Sequence, residues 1–517
     1  MTIMESSQQS TTCENEQKRS STEDVSLITE TAKLKLNDNN GSTQKINTTK
    51  KGSKNAKKSG KSGKLPKELI TPEYIEKMRK EREEKKRLKR EQLIAQGIDP
   101  DNINKTTYIK REMLEVPHPT KTGKKSVLTF KIMTYNLLAQ ALIRRTLFPN
   151  NGDILKWQKR SKVLIQEIKD YDCDILCLQE VDFVQYKTFW RPELEKLGYH
   201  TKFNRGMDKN HGISIFFKSE MFSLLDTCSI DFDKEKSGDI QARTTTKNAG
   251  LMVGLALKDD PTKVVTIGTA HLFWHPFGTY ERTRQTYVVL SKSKEFENRI
   301  KVLHPSVKKV WRFFAGDFNS QPFDAPYLSI TSKPVKYDSR CERVISCSTS
   351  FQYSTKREGG SGEDEEGGNI EKFGEDQPKD PVPDTFKATD DQKLIVQQME
   401  DLHNELPLRA ISLYSVGYKS VDPKNAGLDN ERNEPFFSNW ANTWRGLLDY
   451  IFLIKDWDIG SDKREVDSIC TFETENDVRI NKLLKLPHPE EMGLGQPREN
   501  EYPSDHLCMI ADISLLD

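Results

Sequence analysis

Nowhere does this 517-residue chain stay apolar for the roughly 18 residues that a membrane-crossing helix needs, so no span is expected. Its opening residues, MTIMESSQQSTTCENEQ, lack an apolar stretch and are not arginine-rich, which excludes reading them as a secretory or mitochondrial leader. Cysteine is scarce, eight scattered residues. Cys173 and Cys177 share one apolar run, but no second Cys/His pair is spaced to complete a four-ligand zinc site. Reduced, buried thiols of an intracellular protein, cytoplasmic or nuclear and not secreted, fit that pattern. No internal repeat recurs, and in particular no leucine-rich array. The first roughly 125 residues are also poor in aromatics, and all seven Trp lie beyond them.

That last absence divides the chain. A net charge of +2, with 31% charged and 35% hydrophobic residues, averages over two unlike regions. Residues 1–125 are polar and Lys-rich, a composition too poor in apolar surface to offset the entropy of ordering, and are expected to be largely disordered. Within them, Lys50–Lys64 (KKGSKNAKKSGKSGK) is a basic tract suited to three uses: a solvated linker, non-specific contact with nucleic-acid phosphates, or a nuclear import address. A helix is expected at about 71–96, with Thr71 as cap, Pro72 in the first turn and Gly97 at the stop. Its middle, KMRKEREEKKRLKREQ, is polar all round, so it reads as a solvated arm or a docking element for RNA or a ribonucleoprotein.

The compact region is expected over 126–517. LTFKIMTYN alternates and stops at Asn136, a strand with a polar end. Trp157, Leu164 and Ile168 recur at helical spacing, and CDILCLQEV reads as a strand buried on both faces. HGISIFFK, GLMVGLAL, KVVTIGTAH, KVWRFFAGDFN, LLDYIFLI and HLCMIADISLL follow, with helical stretches between them. The pattern is that of a layered α/β domain. Residues 356–384, acidic and Gly/Pro-rich without periodicity, read as a disordered insertion.

Chemistry-bearing residues sit where those apolar runs end. Glu180, Asp317 and Asp505 offer carboxylate oxygen, and Asn136 and Asn319 offer amide oxygen. Mg²⁺ takes one or two carboxylates together with water and substrate phosphate. His271 and His506 titrate near neutrality and can move a proton or donate to a phosphate oxygen, and Asp449 can fix the tautomer of His506. His211 lies ahead of a strand among these motifs. Trp274, Trp311 and Trp440 read as packing residues.

With TYNLLA (Thr134–Ala139), LQEV (Leu178–Val181), AHLFWHP (Ala270–Pro276), GDFNS (Gly316–Ser320), LDYIF (Leu448–Phe452) and PSDHL (Pro503–Leu507) in order, the chain resembles the exonuclease–endonuclease–phosphatase superfamily. Within it, the chain is similar to the branch of carbon-catabolite-repressor deadenylases, nocturnin and the fungal Ngl-type RNA exonucleases. The resemblance implies a four-layer α/β sandwich, two stacked mixed β-sheets flanked by helices. It implies a Mg²⁺ site (Mn²⁺ as the substitute ion) built on Glu180 with Asn136 and Asp505. Asp317 would activate water and Asn319 would orient it or the phosphate. His506, paired with Asp449, would bind the scissile phosphate, and His271 would lie near the leaving oxygen. Pro276 and Trp444, the latter where Phe is usual, would clasp the terminal base, and Arg284 is a candidate phosphate contact or a surface ion pair. The implied activity is 3′→5′ removal of 5′-mononucleotides from single-stranded RNA 3′ ends, in ribosomal RNA precursor trimming or poly(A) shortening. Precursor particles are partners that the basic arm could reach. Two rival readings are a phosphatase of a small phosphorylated molecule (a dinucleotide 2′-phosphate or an inositol phosphate) and a non-catalytic RNA-binding scaffold.

Overall fold

The computed structural model describes residues 72–95, 107–118, 123–144, 148–149, 151–351, 382–383 and 385–517. The tract Lys50–Lys64 and most of the insertion expected over 356–384 lie outside the described residues. The charged segment forms one helix, Pro72–Ala95. Its described side chains are exposed, and Glu76–Lys80 and Arg87–Glu91 pair one turn apart at 3.2 and 3.9 Å. This helix belongs to one unit of the chain, and Gly97–Asp517 form another.

The larger unit carries strands β1 (Met113–Glu115), β2 (Ser126–Asn136), β3 (Ile175–Asp182), β4 (Tyr199–Asn204), β5 (His211–Lys218), β6 (Phe222–Asp231), β7 (Ala249–Leu257), β8 (Lys263–Ala270), β9 (Lys309–Asp317), β10 (Leu408–Ser412), β11 (Asn439–Ala441), β12 (Trp444–Gly446), β13 (Asp449–Asp456), β14 (Val478–Leu484) and β15 (Met509–Leu516). It starts before Ser126, the boundary that composition suggested. β1 pairs with β14, and Arg111 and Val116 are buried. Three residues of strand are too short to show a period, so this edge was invisible to pattern reading.

One sheet has the order β1-β14-β15-β2-β3-β5-β4 and the other β10-β13-β9-β8-β7-β6. β2 runs parallel to β3, and β8 parallel to β9. The remaining neighbours are antiparallel, so both sheets are mixed. Alternation along each strand decides which side chain enters which layer. Phe130 and Ile132 of β2 join Ile267 and Phe313 of the other sheet in the central core, whereas Met133 and Tyr135 turn outward against Leu164, Ile168 and Tyr171. Those three lie on one stripe of the helix Trp157–Tyr171. On the far side, Phe296 and Ile300 of the helix Thr279–Leu303 close over Gly254 of β7, and three further helices (Ala325–Thr331, Ser339–Ser350, Asp390–Glu405) complete the layer. The result is helix, sheet, sheet, helix.

One glycine is required by a close approach. A Cβ on Gly316 would stand 2.4 Å from the Ala270 carbonyl oxygen, where the end of β8 presses on β9.

Glu434 is fully buried and accepts from the Tyr327 hydroxyl at 2.7 Å. Burial pushes its carboxyl up to about 7, with Ser412, Tyr327 and Arg432 only partly opposing. The folded chain therefore holds a proton that the unfolded chain has released between the ordinary value of 4.5 and about 7, and stability falls as pH rises through that window. Glu434→Gln should gain up to about 3 kcal/mol over the parent at pH 8, a gain that shrinks toward pH 4.5. Denaturant unfolding at both pH values measures it.

Candidate active site

The two parallel pairs end at the same edge of the sandwich, the carboxyl edge where open α/β sheets bind ligands. β2 ends at Asn136, β9 at Asp317, and His271 follows β8 and bridges to Asp317. The antiparallel partners bring their beginnings to that edge. Asp449 opens β13 opposite Asp317, and His506 precedes β15, whose first residue pairs with Thr134. Six distant segments thus converge by strand register alone.

Local backbone re-aims the acids. The ladder between β3 and β5 slips between Leu178 and Val181, and Glu180 takes φ 52°. Leu138 (φ 54°) and Asn319 (φ 47°) share that left-handed form, which is uncommon for residues other than glycine. Such conformations gather at functional sites because the surrounding structure must enforce them.

Asn136 Nδ2 donates to Glu180 Oε1 and to Asp317 Oδ2, each at 3.0 Å. Its Oδ1 accepts from the Leu138 N–H at 3.0 Å, which fixes the amide's orientation. Asn136 therefore presents nitrogen to the two carboxylates, and its side-chain oxygen faces the Leu138 N–H. The Ala139 N–H donates to Glu180 Oε2 at 2.8 Å, and the Asn319 N–H to Asp317 Oδ1 at 2.9 Å. Asn319 Nδ2 is committed to the Leu272 carbonyl at 3.0 Å.

Two imidazoles approach the same oxygen. Asp317 Oδ2 lies 3.6 Å from both His271 Nε2 and His506 Nε2, and His271 Nδ1 lies 4.0 Å from Glu180 Oε1. His506 Nδ1 meets Asp449 Oδ2 at 2.8 Å, and the Ser438 hydroxyl donates to that same oxygen at 2.7 Å. Among the described residues, Asp317, Asp449 and His506 bring one ligand atom each within 4.8 Å of one another. The Ser504 hydroxyl donates to the Asn136 carbonyl at 2.8 Å and lies 3.4 Å from Asp505 Oδ1.

Charge is tuned in opposite directions. Burial pulls His506 down, but Asp449, Asp317 and Asp505 outweigh it and hold the imidazole well above its ordinary value. Burial lowers His271 to about 4, with Glu180 only partly opposing. Burial raises Asp317 and Asp449, against the pull of His506 on both. Burial also lifts Asp505 to about 6, with His506 opposing and Glu180 adding to the rise. Burial would raise Glu180 too, yet the nearby imidazoles of His271 and His211 and the Asn136 and Ala139 donors hold it below 4.5. His211, the first residue of β5, thus lies within electrostatic reach of Glu180 and Asp182.

Pro276 and Trp444 are half-buried, as rim residues are. Trp311 and Trp440 are core residues, and Trp274 is half-buried. Arg284 is a correction. It is 1% exposed, its Nε donates to Glu281 Oε2 at 3.1 Å, and its two Nη atoms donate to the Glu235 and Phe232 carbonyls. It is a buried structural ion pair, neither a phosphate contact nor a surface bridge. Pattern reading missed two arginines beneath the site. Arg160 is fully buried, with Nη1 on the Leu137 and Pro503 carbonyls at 2.8 and 2.9 Å and Nη2 on the Leu138 carbonyl. It ties the Asn136 loop to the Asp505 loop. Arg282 donates to Ser320 Oγ at 3.1 Å and to the Phe273 and His275 carbonyls at 2.9 and 2.6 Å. A signal existed for Arg160, which falls on the stripe of Trp157, Leu164 and Ile168 where no charge is expected.

The model of the Endonuclease/Exonuclease/phosphatase family matches residues 133–506. The chain is 52% identical over 476 residues to the RNA exonuclease NGL2 of Saccharomyces cerevisiae, covering 89% of this chain and 92% of that protein. It is 40% identical over 471 residues to the probable RNA exonuclease NGL3 of the same yeast, covering 87% and 91%. Among solved structures, the human nocturnin catalytic domain aligns with a TM-score of 0.43 at 19% identity, over 77% of this chain and 100% of that one.

Breaking the Asp449 partnership should leave burial less opposed at His506. In Asp449→Asn, the His506 imidazole is expected to lose its proton at lower pH than in the parent, read from its ring resonances by NMR in metal-free protein. An unchanged titration would show that Asp449 does not hold that charge.

Proposed function

This chain belongs to the endonuclease/exonuclease/phosphatase family, and on that premise we propose that it is a Mg²⁺-dependent 3′→5′ RNA exonuclease releasing 5′-mononucleotides. The observation that carries the reading is the single amide nitrogen of Asn136 that joins Asp317, from one sheet, to Glu180, from the other, with the buried His506 Nε2 3.6 Å from Asp317 Oδ2. The names of the two yeast relatives support RNA as the substrate.

The acids fit a hard divalent cation. The negative charges of Glu180 and Asp505 repel one another, and carboxylate oxygens that repel are what a divalent cation would bring together. Glu180 and Asp505 would hold the ion. When bound, it would polarise a non-bridging phosphate oxygen and offset the charge that grows there.

The remaining work falls to the chain's own groups. Asp317, held at Oδ1 by the Asn319 N–H and at Oδ2 by Asn136, takes the proton of the attacking water. The water oxygen bonds to phosphorus as the bond to the 3′ oxygen breaks; the departing oxygen takes a proton from solvent water, and Asp317 returns its own to solvent. One RNA strand shortened by a nucleotide, with a free 3′-hydroxyl, and one 5′-mononucleotide result. His506, steered by Asp449 through Nδ1, aims Nε2–H at the phosphate and stabilises its developing charge. His271, neutral near pH 7, stands by the leaving oxygen. Pro276 and Trp444 flank the terminal base, where stacking tolerates many bases and contributes roughly 1–3 kcal/mol. Substrates of this reading are ribosomal RNA precursors, reached with help from the basic N-terminal arm, or poly(A) tails.

Glu180→Gln and Asp317→Asn should each lower turnover at least about a hundredfold while the circular dichroism spectrum stays that of the parent. The assay uses 3′-labelled RNA, which should yield labelled mononucleotide from the first cut. EDTA should stop it, and Mg²⁺ or Mn²⁺ should restore it. Parallel tubes hold a dinucleotide 2′-phosphate and an inositol phosphate. Cleavage of those with RNA left intact would replace this reading with the phosphatase.

A further inference from the structure

β3 does not end at the cleft. It runs on from Glu180 to Asp182, and Phe183 follows at once, three residues and at most about 10 Å of chain beyond Glu180. The Phe183 N–H donates to the Asn210 carbonyl at 2.8 Å, which ties this point to the loop ahead of His211. Two cations converge on the Phe183 ring. The Arg205 guanidinium carbon stands 4.1 Å from its centroid and Lys187 Nζ 4.0 Å. Phe183 leans on Phe203 at 5.8 Å, and Phe203 stacks on Tyr186 at 4.5 Å and 25°. The segment Tyr186–Trp190 winds as a π-helix, a form found frequently at functional sites.

The fold makes little use of this surface. Arg205 and Lys187 are exposed, and among the described residues neither pairs with a carboxylate; Arg205 donates only to the Lys209 carbonyl, at 2.6 Å. Exposed contacts between cations and rings are weak. Val184 and Met207, 66% and 73% exposed, flank the junction with apolar surface open to water. The acid in this loop, Asp208, is itself exposed. Cations without acidic partners, interleaved with aromatic and apolar faces and continuous with a phosphodiester cleft, are the chemistry that tracks a single strand.

We propose that this junction is an upstream subsite for single-stranded RNA. It takes nucleotides beyond the first on the 5′ side of the scissile bond, with phosphates against Arg205 and Lys187, which Phe183 holds in place, and bases against Phe203 and Met207. The proposal rests on the exonuclease reading of the cleft and adds a source of preference for long strands over short ones.

The full-length protein is tested as parent and as Lys187→Ala/Arg205→Ala, with unchanged melting as the folding control. Substrates are a dinucleotide and a 20-nucleotide unstructured RNA. The double variant should raise KM for the long strand about tenfold near 0.1 M salt, leave its kcat alone and leave kcat/KM on the dinucleotide unchanged. In a Glu180→Gln background, anisotropy should show the salt dependence of long-strand binding shallower by about 1.4, from two lost contacts of roughly 0.7 each. Equal losses on both substrates, or none on either, would overturn the subsite; the second result is what a protein-docking surface gives. A parent inert on every RNA would sink the exonuclease reading and this one with it, whereas an active parent with an unaffected variant sinks only the subsite.

Discussion

A single buried amide joins the acids of the two sheets. Asn136 Nδ2 reaches Glu180 on β3 and Asp317 at the end of β9, so the stacking of one sheet on the other is read out at one nitrogen. Both acceptors are carboxylates, and hydrogen bonds to charged groups are roughly twice as strong as neutral ones. The same residue accepts the Ser504 hydroxyl through its carbonyl and the Leu138 N–H through Oδ1. A one-residue slip of β2 or β9 in its own ladder would turn its side chains to the other face and dissolve the junction. Gln179 braces it from the inside, with Nε2 at 3.1 and 2.9 Å from the hydroxyls of Thr134 in its own sheet and Thr269 in the other.

Strain and counter-charge are stored around that junction. Three residues with side chains, Leu138, Glu180 and Asn319, hold left-handed backbone within a few positions of the acids. Each is over-determined by bonds that would be lost if it relaxed: Asn136 on Leu138, Ala139 on Glu180, Leu272 on Asn319. Arg160 lies beneath them. Burial lowers its guanidinium to about 10, and the negative charges of Asp505, Asp182 and Glu180 act to keep the proton on. Its Nε finds no partner among the described residues, an uncommon cost inside a protein that is consistent with a fixed positive charge held for the acids above it.

Strand ends were the most legible feature of the sequence. An apolar or alternating run bounded or interrupted by Asn, Glu, Asp or His marks where a strand meets the edge of the core: Asn136 and Asp317 end their strands, His271 follows one, Asp449 opens one, His506 precedes one, and Glu180 interrupts β3. What the pattern does not carry is orientation. Asn136 reads as an offer of amide oxygen, and that oxygen faces the Leu138 N–H. Arg284 reads as a surface cation because arginines on helices usually are. Yet every residue from Thr279 to Thr286 is buried, so this part of the helix has no outer face to which a charge could turn. β1 was missed for a different reason: its partner lies more than three hundred residues away, and no local period announces such a pairing.

The arrangement also explains why acids crowd one buried place despite the cost. Burial penalises each carboxylate by itself, and it is the largest influence on Asp317, Asp449 and Asp505. The same low dielectric strengthens every contact a cation makes with the group as a whole. A site of this kind gains stability from whatever cation occupies only the folded form. It also separates its carboxyls by environment, Asp317 raised and Glu180 held below its ordinary value, which is how neighbouring acids come to serve different roles at one pH. Scattered over the surface, these residues would each be comfortable and chemically equivalent. Convergence on one edge makes them unequal, and that inequality is what general-base and electrostatic roles require of adjacent carboxylates.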